Sequence, residues 1–145
     1  TNKENIVTID TILRDKLQLR SEEYQEKKNR IISSIIRNKE SMSLMNKGRQ
    51  LIFVYLPTTI ASERLVMESP SRFKYKNLTL SEIHVLEKDY RKSLIQQLSQ
   101  IKNIRILNMA GIGSDDWFTN ISNYTERGHS EIANELVSFF NIHMR

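Results

Sequence analysis

With 145 residues, 39% of them hydrophobic and 27% charged, the chain is long enough to bury one core and too short for two. Four Gly and two Pro mark a helix-leaning globular composition and exclude a disordered or fibrous chain. The absence of Cys excludes disulfides, thiolate nucleophiles and Cys-based zinc sites together, and leaves the compartment open.

The formal charge of +5, with a pI near 9.5, gives a weak attraction to phosphates and anionic lipids. Basic residues alternate with acidic ones, as in residues 22–28 (EEYQEKK), so a solvated face is expected and no specific nucleic-acid surface. No stretch reaches the roughly 18 apolar residues of a membrane span, and no apolar h-region opens the numbering.

Ile6, Ile9, Leu13 and Leu17 recur at helical spacing and predict a short amphipathic helix over 5–19. Ser21 then caps a longer helix whose apolar side carries Tyr24, Ile31, Ile32, Ile35, Ile36, Met42 and Met45, with Gly48 as its stop signal. These helices make residues 1–48 an N-terminal helical region within one domain, ahead of an α/β portion over 49–145. Residues 51–57 (LIFVYLP) form a continuous apolar run ended by proline, which predicts an interior parallel strand covered on both faces. A polar connection follows over 58–77, containing Pro70 and a helical turn around 62–67. Ile83, Leu86, Tyr90, Leu94, Leu98 and Ile101 predict a second long amphipathic helix over 81–101, and residues 104–109 (IRILNM) a second strand. A final helix runs from Thr125 or Arg127 to about His143 and is expected to bury Ile132, Leu136, Val137 and Phe140.

Helix, strand, helix, strand, helix is the alternation of a parallel sheet with helices on both faces. The two strands should lie parallel and adjacent, with the helix over 81–101 packed across them. Two strands are too few for such a sheet, so the chain is expected to be the C-terminal half of an α/β fold. Another chain, or a missing N-terminal half, would then complete it.

Residues 118–136 (FTNISNYTERGHSEIANEL) resemble the closing block of the SGNH (GDSL-type) hydrolases. In that block an Asp-x-x-His pair stands before a Thr-x-x-Gly-His helix start and an Ile-Ala-x-x-Leu helix. Thr125, Gly128, His129, Ile132, Ala133 and Leu136 fall in this register, and the strand ending at Pro57 resembles a later central strand of the family. The resemblance covers roughly 49–140. It implies a flavodoxin-like three-layer α/β/α fold, serine-type ester hydrolysis or acyl transfer, and no cofactor or metal.

The same register places Asn120 at the family's Asp position and Asn123 at its His position. Neither amide can accept a proton near neutral pH, so the base and its orienting group are both missing. The family's Gly-Asp-Ser nucleophile block and its upstream Gly and Asn blocks are absent as well. The resemblance therefore implies a non-catalytic scaffold or interaction subunit of a larger assembly. The alternative is the C-terminal part of an esterase or O-acyltransferase acting on acylated carbohydrate or lipid. The available substitutes for the missing pair are His129 with Asp115 or Asp116, against a structural role for His129 at the helix start. His84 and His143 are expected at the surface near helix ends, and three scattered His argue against a metal site. Gly111-Ile112-Gly113 reads as a turn, lacking the rest of a phosphate-loop motif. Asn77, Asn120 and Asn123 each begin an N-glycosylation pattern, relevant only to a secreted eukaryotic protein.

Overall fold

The computed structural model describes residues 17–47, 49–68 and 78–143. Most of the expected helix over 5–19, together with Gly48, Pro70 and the side chain of His143, lies outside them. Residues 17–20 form a turn in which Leu19 is fully buried.

Helix α1 (Glu22–Met45) starts as expected, with the Ser21 hydroxyl accepting the Tyr24 N–H at 3.2 Å and two glutamates in the first turn. Ile32 is its buried anchor, flanked by the partly buried Ile35 and Ile36. The expected apolar stripe is narrower than its sequence extent, because Ile31, Met42 and Met45 are exposed.

Strands β1 (Leu51–Tyr55) and β2 (Ile104–Asn108) are parallel and adjacent, in the register Leu51↔Ile104 to Tyr55↔Asn108. The ladder is extended at both ends, Leu51 N–H donating to Asn103 O at 2.8 Å and Met109 N–H to Tyr55 O at 2.9 Å. The connection between the strands holds a 3₁₀ turn (Thr59–Ala61), α2 (Glu63–Glu68) and α3 (Leu80–Leu98). A capping box fixes the start of α3: the Thr79 hydroxyl accepts the Glu82 N–H while the Glu82 carboxylate accepts the Thr79 N–H. The helix stops at Leu98, and Asn103 takes a positive φ of 63° in the turn into β2, a conformation asparagine tolerates.

Ile32, Leu94 and Leu98 form the buried centre, with Phe53, Tyr55, Ile104 and Ile106 from the sheet packed against it. Each fully buried Leu or Ile contributes about 1.5–3 kcal/mol relative to exposure. A second tie joins α1 to α3: the Lys28 ammonium lies 2.9 Å from an Asp89 carboxylate oxygen, both side chains about nine-tenths buried. The Tyr24 hydroxyl donates to the same oxygen at 2.9 Å.

Two expectations need correction. All five residues of β1 are half-buried, not enclosed, and this includes Phe53 and Tyr55 that pack against the buried centre, so neither face of the strand is fully covered. In α4 (Glu126–His143), Ile132 is buried and Leu136 half-buried, whereas Val137 and Phe140 are exposed. Among the described residues the chain is thus mixed α/β with a two-stranded parallel sheet. Among the described residues, no helix is long and apolar enough to cross a membrane.

Candidate functional site

The loops leaving the carboxyl ends of β1 and β2 meet and are stitched together. The Thr59 N–H donates to Ile121 O at 3.1 Å, the Thr59 hydroxyl to Asn120 O at 3.2 Å, and the Tyr124 hydroxyl to Pro57 O at 2.5 Å. Phe118 and Tyr124 pair as an antiparallel bridge, closed further by the Thr119 N–H donating to Asn123 O at 2.9 Å. Asn120 and Asn123 therefore lie together at the exposed tip of a short hairpin. The Asn120 side-chain oxygen accepts the Ser122 and Asn123 N–H groups at 3.0 and 2.8 Å, an Asx turn that gives the side chain a backbone duty.

Behind the hairpin, Thr125 starts α4. Its hydroxyl donates to Asp116 O at 2.6 Å and accepts the Gly128 N–H at 3.0 Å, while its own N–H donates to Trp117 O at 2.8 Å. Gly128 lies so close to this turn that an added Cβ would stand 2.2 Å from Trp117 O. The Thr-x-x-Gly spacing thus docks the helix onto the 3₁₀ turn Asp115–Trp117. The turn expected at 111–113 falls at Ala110–Gly111, closed by the Ile112 N–H donating to Met109 O at 3.2 Å, while Gly113, with φ +110°, brings its Cα against the Trp117 ring.

His129 and Asp116 are both near this helix start, yet each is engaged elsewhere. The Asp116 carboxylate accepts the Ser114 hydroxyl at 2.6 Å and pairs with the Arg127 guanidinium. The Ser114 hydrogen bond, followed by the Arg127 charge, holds it below the usual carboxylate range. The exposed His129 ring stands edge-on to the Tyr124 ring at 5.4 Å and, among the described residues, makes no hydrogen bond. Burial pushes the Tyr124 hydroxyl up from its ordinary value. Asp115 is exposed. Among the described residues, no hydrogen bond or ion pair joins His129 to Asp116. Nor do three or more His, Cys, Asp or Glu side chains converge on a metal position among the described residues.

His84 departs from its expected place at the surface. It is half-buried, with Nδ1 2.6 Å from Ile60 O, so that nitrogen carries the proton and donates.

Sequence reasoning passed over a second cluster under α3. The Tyr55 hydroxyl donates to Glu87 Oε1 at 3.1 Å, and Arg91 Nε lies 3.4 Å from the same oxygen. Among the described residues, Glu87 Oε2 is buried without a hydrogen-bond partner. Burial raises the Glu87 pKa, with Arg91 opposing, and burial with the neighbouring carboxylate raises that of Tyr55 far above its ordinary value. On one side of the helix an apolar groove of about 430 Å³ is lined by Tyr24, Ile31, Ile60, Ile83, Leu86 and Tyr90, with Glu87 at its wall. On another, a cleft of about 600 Å³ is lined by Lys88, Arg91, Lys92, Ile95, Gln96 and Asn108. The only trace of this cluster in the sequence is the spacing of Lys88, Arg91 and Lys92 on one helix face. No protein-family model, no curated protein and no solved structure matches this chain, so its function is argued from its own residues.

Proposed function

We propose that this chain is the C-terminal portion of a three-layer α/β/α fold of the SGNH type that serves as a non-catalytic scaffold or interaction subunit in a larger assembly. The reading rests on the hairpin tip, where amides occupy the two positions at which the resembled family carries its proton-handling pair. Asn120 uses its carbonyl oxygen to hold the turn, a task an aspartate could share. Asn123 offers no basic nitrogen in place of an imidazole. The parallel βαβ pair supports the fold, and the half-buried strands support its completion by further strands, from another chain or from elsewhere in the same protein.

The catalytic alternative, part of an esterase or O-acyltransferase acting on acylated carbohydrate or lipid, is favoured by one feature. The candidate loops gather at the carboxyl ends of parallel strands, where α/β folds place their ligands. A short-chain aryl ester separates the readings. Loss of general-base assistance removes about 10²- to 10⁴-fold of rate, so turnover should equal that of buffer. Restoring the pair with Asn120→Asp and Asn123→His should not create activity, because the nucleophile block is absent. Hydrolysis by the unmodified chain that His129→Ala abolishes, with the fold intact, would overturn the non-catalytic reading and make His129 a working base.

A further inference from the structure

We propose that the cleft between α3 and the end of β2 binds a phosphoryl group, a tetrahedral dianion held by Arg91, Lys88, Lys92 and the Asn108 amide. This inference is independent of the hydrolase resemblance.

The argument starts from Arg91. Its side chain is 15% exposed and tied through Nε to Glu87 Oε1, which the Tyr55 hydroxyl holds from the sheet side. A guanidinium fixed through Nε keeps its two terminal nitrogens, four N–H donors in a planar fork, available for a bidentate partner. Among the described residues no hydrogen bond occupies those nitrogens, and Arg91 lines the cleft. A largely buried cation beside a cleft is an arrangement that oxyanions satisfy.

Charge sets the class of ligand. Lys88 and Lys92 are exposed, neither has an ion-pair partner among the described residues, and each is within one helical turn of Arg91. Like charges at this spacing repel, a cost that a bound anion reverses. With the Glu87 carboxylate offsetting one of the three cations, two positive charges remain, matching a dianion rather than a carboxylate. Asn108 adds direction: its side-chain oxygen accepts the Ala110 N–H at 3.0 Å, which leaves the NH₂ as its donating end.

The test is calorimetric titration of the full chain with inorganic phosphate, phenyl phosphate and benzoate at low and physiological salt. Phenyl phosphate or inorganic phosphate should bind saturably at one site, in the millimolar range or tighter at roughly 10⁻³ M. Tighter phenyl phosphate would mark a monoester as the ligand, and equal affinities would mark the free ion. The exposed pair Lys88→Ala with Lys92→Ala, which leaves the core untouched, should weaken binding at least about tenfold. Lys27→Ala, on α1, should leave it unchanged. Benzoate binding as tightly as phenyl phosphate, absence of saturable binding, or affinity indifferent to the double substitution would each overturn the proposal.

Discussion

At Gly128 the missing Cβ sets how the last helix begins. An alanine there would place a carbon 2.2 Å from a backbone oxygen that already accepts the Thr125 N–H, so either the 3₁₀ turn or the helix must shift. Gly128→Ala should cost about 2–3 kcal/mol by overpacking, which outweighs a helix-propensity gain of about 1 kcal/mol. Gly111→Ala, with nothing within 4 Å of its added Cβ, should change stability by less than about 0.5 kcal/mol. Urea unfolding followed through Trp117 fluorescence reads both. The pattern Thr-x-x-Gly-His was legible in the sequence as a motif. Its physical reasons, a hydroxyl cap and a close backbone approach, were not, because both depend on where the Asp115–Trp117 turn folds back. Two carboxyls at this scale titrate in opposite senses. Asp116 has a lowered pKa, so its contribution is present above the ordinary carboxylate range and is lost as pH falls through the lowered value. Glu87 has a raised one, so its contribution is full below the ordinary range and is lost as pH rises through the raised value. Stability against pH should therefore flatten on its acid limb in Asp116→Asn, and just above the ordinary carboxylate range in Glu87→Gln. Parallel pH profiles for wild type and either variant would contradict the assignment for that residue.

The elements follow from periodicity, and their departures from it have local causes. The helix expected over 81–101 is Leu80–Leu98, moved to its capping box at one end and to the Asn103 turn at the other. The strands were legible as short apolar runs, and their parallel pairing from the helix between them. Full burial was not a sound inference from the absence of alternation. An apolar residue on a sheet face records what that face can meet, not what the described chain supplies, and the same holds for Val137 and Phe140 on α4. The tie between α1 and α3 escaped sequence reading altogether, since Lys28 and Asp89 lie in charge-mixed stretches that resemble solvated faces. Lys28→Met removes one partner of a buried pair and should destabilise the fold by about 3 kcal/mol, measured as a shift in the denaturant midpoint. Lys27→Met, one residue away and exposed, should shift it by less than about 0.5 kcal/mol.

At the scale of the molecule, two largely half-buried strands and a last helix with Val137, Phe140 and Ile142 exposed leave apolar surface to be covered among the described residues. Sedimentation velocity should show the 145-residue chain associating as its concentration rises, or else binding a hydrophobic dye strongly. A monomer at all concentrations with no dye binding would count against completion of the sheet by additional strands. The candidate phosphoryl cleft belongs to this scale too: its groups come from mid-helix and a strand end, and only the crossover brings them together. That crossover also sets an order in time. The helices close through contacts a few residues apart, including two N-terminal caps, whereas pairing Leu51 with Ile104 requires closing a loop of roughly fifty residues. The β1–β2 ladder therefore forms late in folding, after α1 and α3 have local order of their own. Until then the run 51–56 stands as an unpaired apolar strand, open to whichever strand reaches it first.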